Sequence, residues 1–173
     1  MAVSKIKQLC VYNIPMDKIS IFLDELLKQI EDVGIDVVNL KIDHIAFSAS
    51  SSQEYDELLP KYLEEGVLVK EAIISDRRVA IIKLNSPVKY KHYTFNVIEL
   101  IEPISGEKAI SGWEHAEFLV KNYDEILIKY PNLSWNTSHK DRENFSRIKL
   151  TLPNGMEVKF LDTPVLESAK IKN

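Results

Sequence analysis

From Asp17 onward apolar residues return every three or four positions: Ile19, Phe22, Leu23, Leu26, Leu27, Ile30 and Val33 form one stripe. That spacing predicts an amphipathic helix packed along one face, and Gly34 follows it as a C-terminal cap. The period then changes. In Lys41 to Ala49, K-I-D-H-I-A-F-S-A, strand geometry places His44, Ala46 and Ser48 on one face and Ile45, Phe47 and Ala49 on the other. The stretch Ser111 to Val120, S-G-W-E-H-A-E-F-L-V, sorts the same way, with His115 and Glu117 opposite Ala116, Phe118 and Val120. In both runs an acid precedes the histidine, Asp43-His44 and Glu114-His115. Two such runs suggest an internal duplication, each half giving one histidine to a shared cavity.

Between the two runs, Ser50 to Ser52 supplies an N-cap for a helix over Gln53 to Glu65, ended by Gly66. Strands are expected at Val67 to Ile74, Val79 to Leu84 and Tyr93 to Ile101, with turns at Asp76-Arg77 and Asn85-Ser86-Pro87. Pro103 to Gly112 reads as a connection. After the second histidine strand the order repeats less clearly. A helix is expected over Tyr123 to Tyr130, then strands at Leu133 to Asn136 and Phe145 to Leu152 around a polar loop from Thr137 to Asn144. Asn154-Gly155 signals a hairpin into a last strand, Met156 to Leu161, and a tail from Pro164 to Lys172 reads as helical. Met1 to Pro15 shows no period. The expected organisation is an N-terminal helical extension (1–36), a first module (37–102) and a second (111–163). With no flexible linker between them, the modules should pack as one domain of 37–163.

The last strand of each module carries a charge in phase. Glu99 stands opposite Ile98 and Leu100, and Lys159 stands opposite Val158 and Phe160. If those faces line the cavity, His44, Glu99, His115 and Lys159 converge there.

Composition narrows the chemistry. The 173 residues carry a net charge of −4 with scattered Lys and Arg, which gives no electrostatic basis for nucleic acid or an anionic membrane. No apolar run approaches the ~20 residues of a membrane span, and no basic-then-apolar signal opens the chain, so a soluble cytoplasmic protein is expected. The lone Cys10 permits no internal disulfide and reads as a small, at least half-buried hydrophobe. Five glycines include no phosphate loop, and neither a G-x-S-x-G nor a zinc-finger pattern occurs. His92 and His139 fall in expected turns or loops. Trp113 and Trp135 read as core or cavity wall. Arg77 and Arg78 sit at a turn, where one of them could hold a substrate carboxylate bidentately.

The repeated order of strand, helix and three strands, with a histidine in the first strand and an acid in the last, resembles the vicinal-oxygen-chelate superfamily of glyoxalase I and extradiol dioxygenases. More narrowly, D-H-I-A-F, D-R-R-V-A-I-I-K-L-N-S-P-V, I-E-L-I-E-P-I-S-G-E-K, G-W-E-H-A-E-F and V-K-F-L are similar to the bacterial YecM family, over about residues 15 to 165. The resemblance implies an α+β fold of paired βαβββ modules and a divalent metal held by His44, Glu99 and His115. Two imidazoles and a carboxylate suit Zn, Ni, Fe or Mn. The superfamily's fourth ligand, a glutamate, is replaced here by Lys159. The function expected from the resemblance is an isomerase, lyase or dioxygenase acting on a small substrate with vicinal oxygens, with Glu117 or Lys159 moving a proton and the chain a monomer or homodimer. The alternative is a non-catalytic binder of a small anion at a metal-free site, with Lys159 as the charge partner. The residues read alone also allow a buried network in which Lys159 pairs with Glu99.

Overall fold

The structure, a computed structural model, describes residues 16–170. Cys10, the leader and the last residues of the expected tail helix lie outside them. The elements in chain order are α1 (Met16–Asp32), β1 (Lys41–Ser48), α2 (Ser52–Glu64), β2 (Gly66–Ile74), β3 (Arg77–Tyr90), β4 (Tyr93–Ile101), β5 (Gly112–Leu119), α3 (Tyr123–Lys129), β6 (Ile148–Thr151), β7 (Glu157–Leu161) and α4 (Val165–Ser168). The strands form one sheet in the order β2-β3-β4-β1-β5-β7-β6. β1 pairs parallel to β4, β5 pairs parallel to β7, and β1 meets β5 antiparallel at the centre. Each half thus sets its histidine strand beside its last strand, and the two histidine strands touch.

The apolar phase of each strand faces the helices. Ile45, Phe47, Ile98, Leu100, Ala116, Phe118, Val158 and Phe160 share one core with the α1 stripe of Ile19, Phe22, Leu23, Leu26 and Ile30. α1 ends in a Schellman motif: Gly34 has φ +82°, its N–H reaches the Glu31 carbonyl, and the Ile35 N–H reaches that of Ile30. Gly66 serves a different purpose from the expected cap. Glu65 caps α2, and a Cβ on Gly66 would lie 2.6 Å from the Lys83 carbonyl oxygen, so glycine permits the close approach of β2 to β3.

Three expected features differ. Asn85-Ser86-Pro87 is no turn; β3 runs through it to Tyr90 with a register shift between Lys83 and Val88, which spares Pro87 a ladder donor. The chain reverses instead at Lys91, which has φ +51°. In the second half the strand expected at Leu133 to Asn136 shrinks to one bridge, Asn136 to Lys149. The Asn136 carboxamide oxygen accepts from the N–H and hydroxyl of Ser138, turning the chain away from the sheet. Likewise Phe145, at φ +56°, delays β6 until Ile148.

Candidate metal centre

The face of the sheet opposite the main core carries the polar phase. His44 comes from β1, Glu99 from β4, His115 and Glu117 from β5, and Lys159 from β7; none is more than 5% exposed. One ligand atom from each of His44, Glu99, His115 and Glu117 lies within 4.8 Å of the others. The four expected residues do converge, and Glu117, read from the sequence as a proton carrier, stands among the donors.

Neighbouring carboxylates orient the imidazoles. His44 Nδ1 donates to Asp43 Oδ2 at 2.7 Å, since a carboxylate only accepts, and Val165 N–H donates to the same oxygen at 3.1 Å. His115 Nδ1 lies 3.2 Å from Glu114 Oε1, and the other Glu114 oxygen accepts from the Ser48 hydroxyl. His44 Nε2 is then left buried without a hydrogen-bond partner. It sits 3.5 Å from Glu99 Oε1 and 3.6 Å from Glu117 Oε1, while His115 Nε2 sits 3.4 Å from Glu117 Oε1 and 3.9 Å from Glu99 Oε2. These separations are long for hydrogen bonds. They approach the edge of about 3.3 to 3.6 Å expected between donors on one tetrahedral ion with bonds of about 2.0 to 2.2 Å.

Burial alone would lower the pKa of His44, but the charges of Glu99 and Glu117 raise it well above the ordinary imidazole value. Against its own burial, Glu99 is pushed down to about 2 by the charge of His44. Glu117 is also held well below the carboxylate range, by His44, His115 and Arg147 in turn, although burial opposes this. Lys159 is shifted down by burial. Its Nζ lies 3.0 Å from Nε2 and 3.2 Å from Nδ1 of His115, and 3.9 Å from Glu117 Oε1. The expected Lys159–Glu99 pair does not form, because β1 and β5 stand between β7 and β4. Glu117 is the acid Lys159 meets.

Sequence reasoning missed Arg147. The strand expected from Phe145 covered it without marking it out; in the structure it precedes β6 in an irregular segment, from which its Nη1 reaches Glu117 Oε1 at 3.4 Å. Other candidates lie elsewhere. His92 donates to the Val38 carbonyl and stacks on Tyr93, and His139 accepts from Arg142. Trp135 packs on Phe160 and Trp113 on Phe47.

The site encloses only about 10 Å³, lined by His44, Glu99, Glu117, Arg147, Leu161 and Val165 among others. That is room for one water or ion. α4 and the Phe145 to Arg147 segment close it. With the imidazoles unprotonated, the four carboxylates beside it (Asp43, Glu99, Glu114, Glu117) exceed the cations Arg147 and Lys159 by two even with the lysine charged, and the proton that His44 holds in the absence of metal offsets one of these charges. A divalent ion balances that surplus with both imidazoles neutral. The unpartnered Nε2, donor spacing, ion-sized space and charge surplus all fit such an ion.

Two histidine-bearing halves with donors converging between them have the paired-module fold of the vicinal-oxygen-chelate type. A solved methylmalonyl-CoA epimerase in complex with methylmalonyl-CoA and NH4+ shares this fold at TM-score 0.50 and 16% identity, over 70% of this chain and 92% of that one. The chain belongs to the YecM family: the family described as YecM protein matches residues 13–170. Protein YecM of Escherichia coli (strain K12) is 31% identical over 107 residues, 61% of this chain and 54% of that protein. The matched stretch thus spans about half the length of the curated relatives. A structural-genomics protein, EC4020, superposes with TM-score 0.71 at 22% identity over 88% of this chain and 90% of that one. Among the described residues no helix is long and apolar enough to cross a membrane.

Proposed function

We propose that the protein is a divalent-metal-dependent enzyme acting on a small organic substrate through paired oxygens, in a reaction of isomerase, lyase or dioxygenase type. His44, Glu99 and His115 would hold the ion, with Glu117 as a fourth donor. When bound, it would supply Lewis acidity. Asp43 and Glu114 fix the ring orientations, Arg147 and Lys159 neutralise Glu117, and Glu117 or Lys159 moves a proton. With about 10 Å³ in the closed site, substrate enters only when Phe145 to Arg147 or α4 gives way. The epimerase with bound methylmalonyl-CoA supports a small-molecule ligand for this fold.

The observation that carries the metal reading is the buried, unpartnered His44 Nε2 inside a group of four donors. Lys159 against His115 favours the second reading, a metal-free small-anion binder. The carboxylate surplus opposes it, since an anion there would be repelled. Metal analysis of protein purified without chelator or affinity tag tests the reading. About one equivalent of a transition metal is expected, and metal-free protein that also fails to take up added Zn, Ni, Fe or Mn would contradict it.

A further inference from the structure

A second cavity opens where β1 ends at Ser48 and β5 begins at Gly112. This cleft of about 430 Å³ is walled by Arg77, Pro103, Ile104, Ile110, Trp113 and Glu114 among others. It has the volume of a small-molecule pocket, which the closed centre lacks.

Two wall residues carry buried donors without acceptors, Nε of Arg77 and Nε1 of Trp113. The adjacent arginine shows what a satisfied guanidinium looks like. Arg78 gives Nε and Nη2 to Glu102 at 3.0 and 2.8 Å and Nη1 to Asp56 at 2.7 Å, and it lies 4.3 Å over the Tyr55 ring. Arg77 has neither ion pair nor side-chain hydrogen bond among the described residues. A planar cation lacking an acceptor, at the edge of a cleft with apolar walls, suits a carboxylate.

The charge of the ligand is limited by the same walls. Glu107 and Glu114 also line the cleft. Glu114 is committed to Ser48 and His115, and the two acids together disfavour a dianion. The opposite wall offers Pro103, Ile104 and Ile110, the last 90% exposed.

We infer that this cleft binds a small monocarboxylic acid, its carboxylate on Arg77 and its apolar body against Pro103, Ile104, Ile110 and the Trp113 indole. Glu114 gives the site its consequence. The residue that lines the cleft also contacts His115 Nδ1 at 3.2 Å, so a bound acid lies one side chain from the centre. Binding in the cleft needs no metal, and the inference stands or falls apart from the metal reading.

With only two tryptophans in the chain, the test uses the two indole N–H signals in a proton–nitrogen correlation spectrum, assigned with Trp135→Phe. Benzoate titrated into the full chain in EDTA should shift the Trp113 signal saturably, with a Kd of about millimolar. Benzamide, isosteric but neutral, should bind about tenfold weaker or less, and Arg77→Met should lose about tenfold while the rest of its spectrum stays in place. Equal binding of benzamide, unchanged affinity in Arg77→Met, tighter binding of phenyl phosphate, or no saturable shift would overturn the inference. So would a benzoate response that appears only with added zinc, which would place the acid on the metal. Zinc uptake measured on the same preparation after the EDTA is removed reports separately on the centre.

Discussion

In the first half of the sheet, His44 stands on β1 and Glu99 on the adjacent β4; in the second, His115 stands on β5 and the place of Glu99 on β7 is taken by Lys159. The carboxylate missing from β7 appears on β5. Glu117 lies two residues past His115, where the first half has Ala46 two past His44. The register makes the exchange plain: Ala46 pairs with Glu99, and Glu117 pairs with Lys159. Two imidazoles and two carboxylates are therefore assembled from halves that share the acid-histidine pair but place the donor carboxylate on different strands. The second half also replaces a strand with the polar segment before β6, and that segment supplies Arg147. Both cations lie against Glu117, at 3.4 and 3.9 Å, and neither lies within ion-pair distance of Glu99. Glu99 meets only the imidazoles, and should matter most to a bound cation.

The sharpest way to break the comparison is to remove each carboxylate. Glu99→Gln should weaken zinc binding on the order of a hundredfold or more and Glu117→Gln about tenfold, read by competition with a fluorescent chelator. Equal losses would mean that the cations do not distinguish the two acids. Moving the carboxylate back to β7 sharpens the same point: Glu117→Ala with Lys159→Glu should recover most of the affinity lost by Glu117→Ala alone.

Stability without metal comes next. Lys159→Met leaves Glu117 with less compensation and should cost on the order of 3 kcal/mol, partly recovered by adding Glu117→Gln. Denaturant unfolding in EDTA reads both. Combining Lys159→Met with Glu99→Gln should give closer to additive losses, and the opposite ranking would reassign the partner of the lysine.

The smallest effect is in acid. Because Glu99 is held at about 2 in the fold against an ordinary 4.5, its ionisation stabilises the protein above pH 4.5, and that contribution drains away as pH falls toward 2. The unfolding midpoint of metal-free Glu99→Gln should therefore change less over that window than the wild type does.

Much of the centre was legible because a strand has period two. Once Ile45, Ile98, Ala116 and Val158 are assigned to the core, His44, Glu99, His115 and Lys159 have only the other face available. Distance within that face was not legible. Alternation placed Glu117 correctly, but its standing among the donors depends on cross-strand register, which no single strand reveals. Arg147 escaped because it was read as one more polar residue of the strand expected from Phe145, whereas β6 begins only at Ile148, and the lost strand because one Asn136 side chain outweighs the strand propensity of its neighbours. Closure by α4 depends on where a four-residue helix packs, with Val165 and Ala169 against Ile81 and Val97.

The central claim is that His44 Nε2 awaits a metal ion, and calorimetric titration of zinc into chelator-stripped wild type and His44→Ala tests it most directly. The wild type should take up one equivalent, releasing a proton as the His44 imidazole becomes neutral, so the heat should vary with the ionisation enthalpy of the buffer. His44→Ala should show no stoichiometric binding. No uptake by the wild type, or the same isotherm from both proteins, would contradict the account.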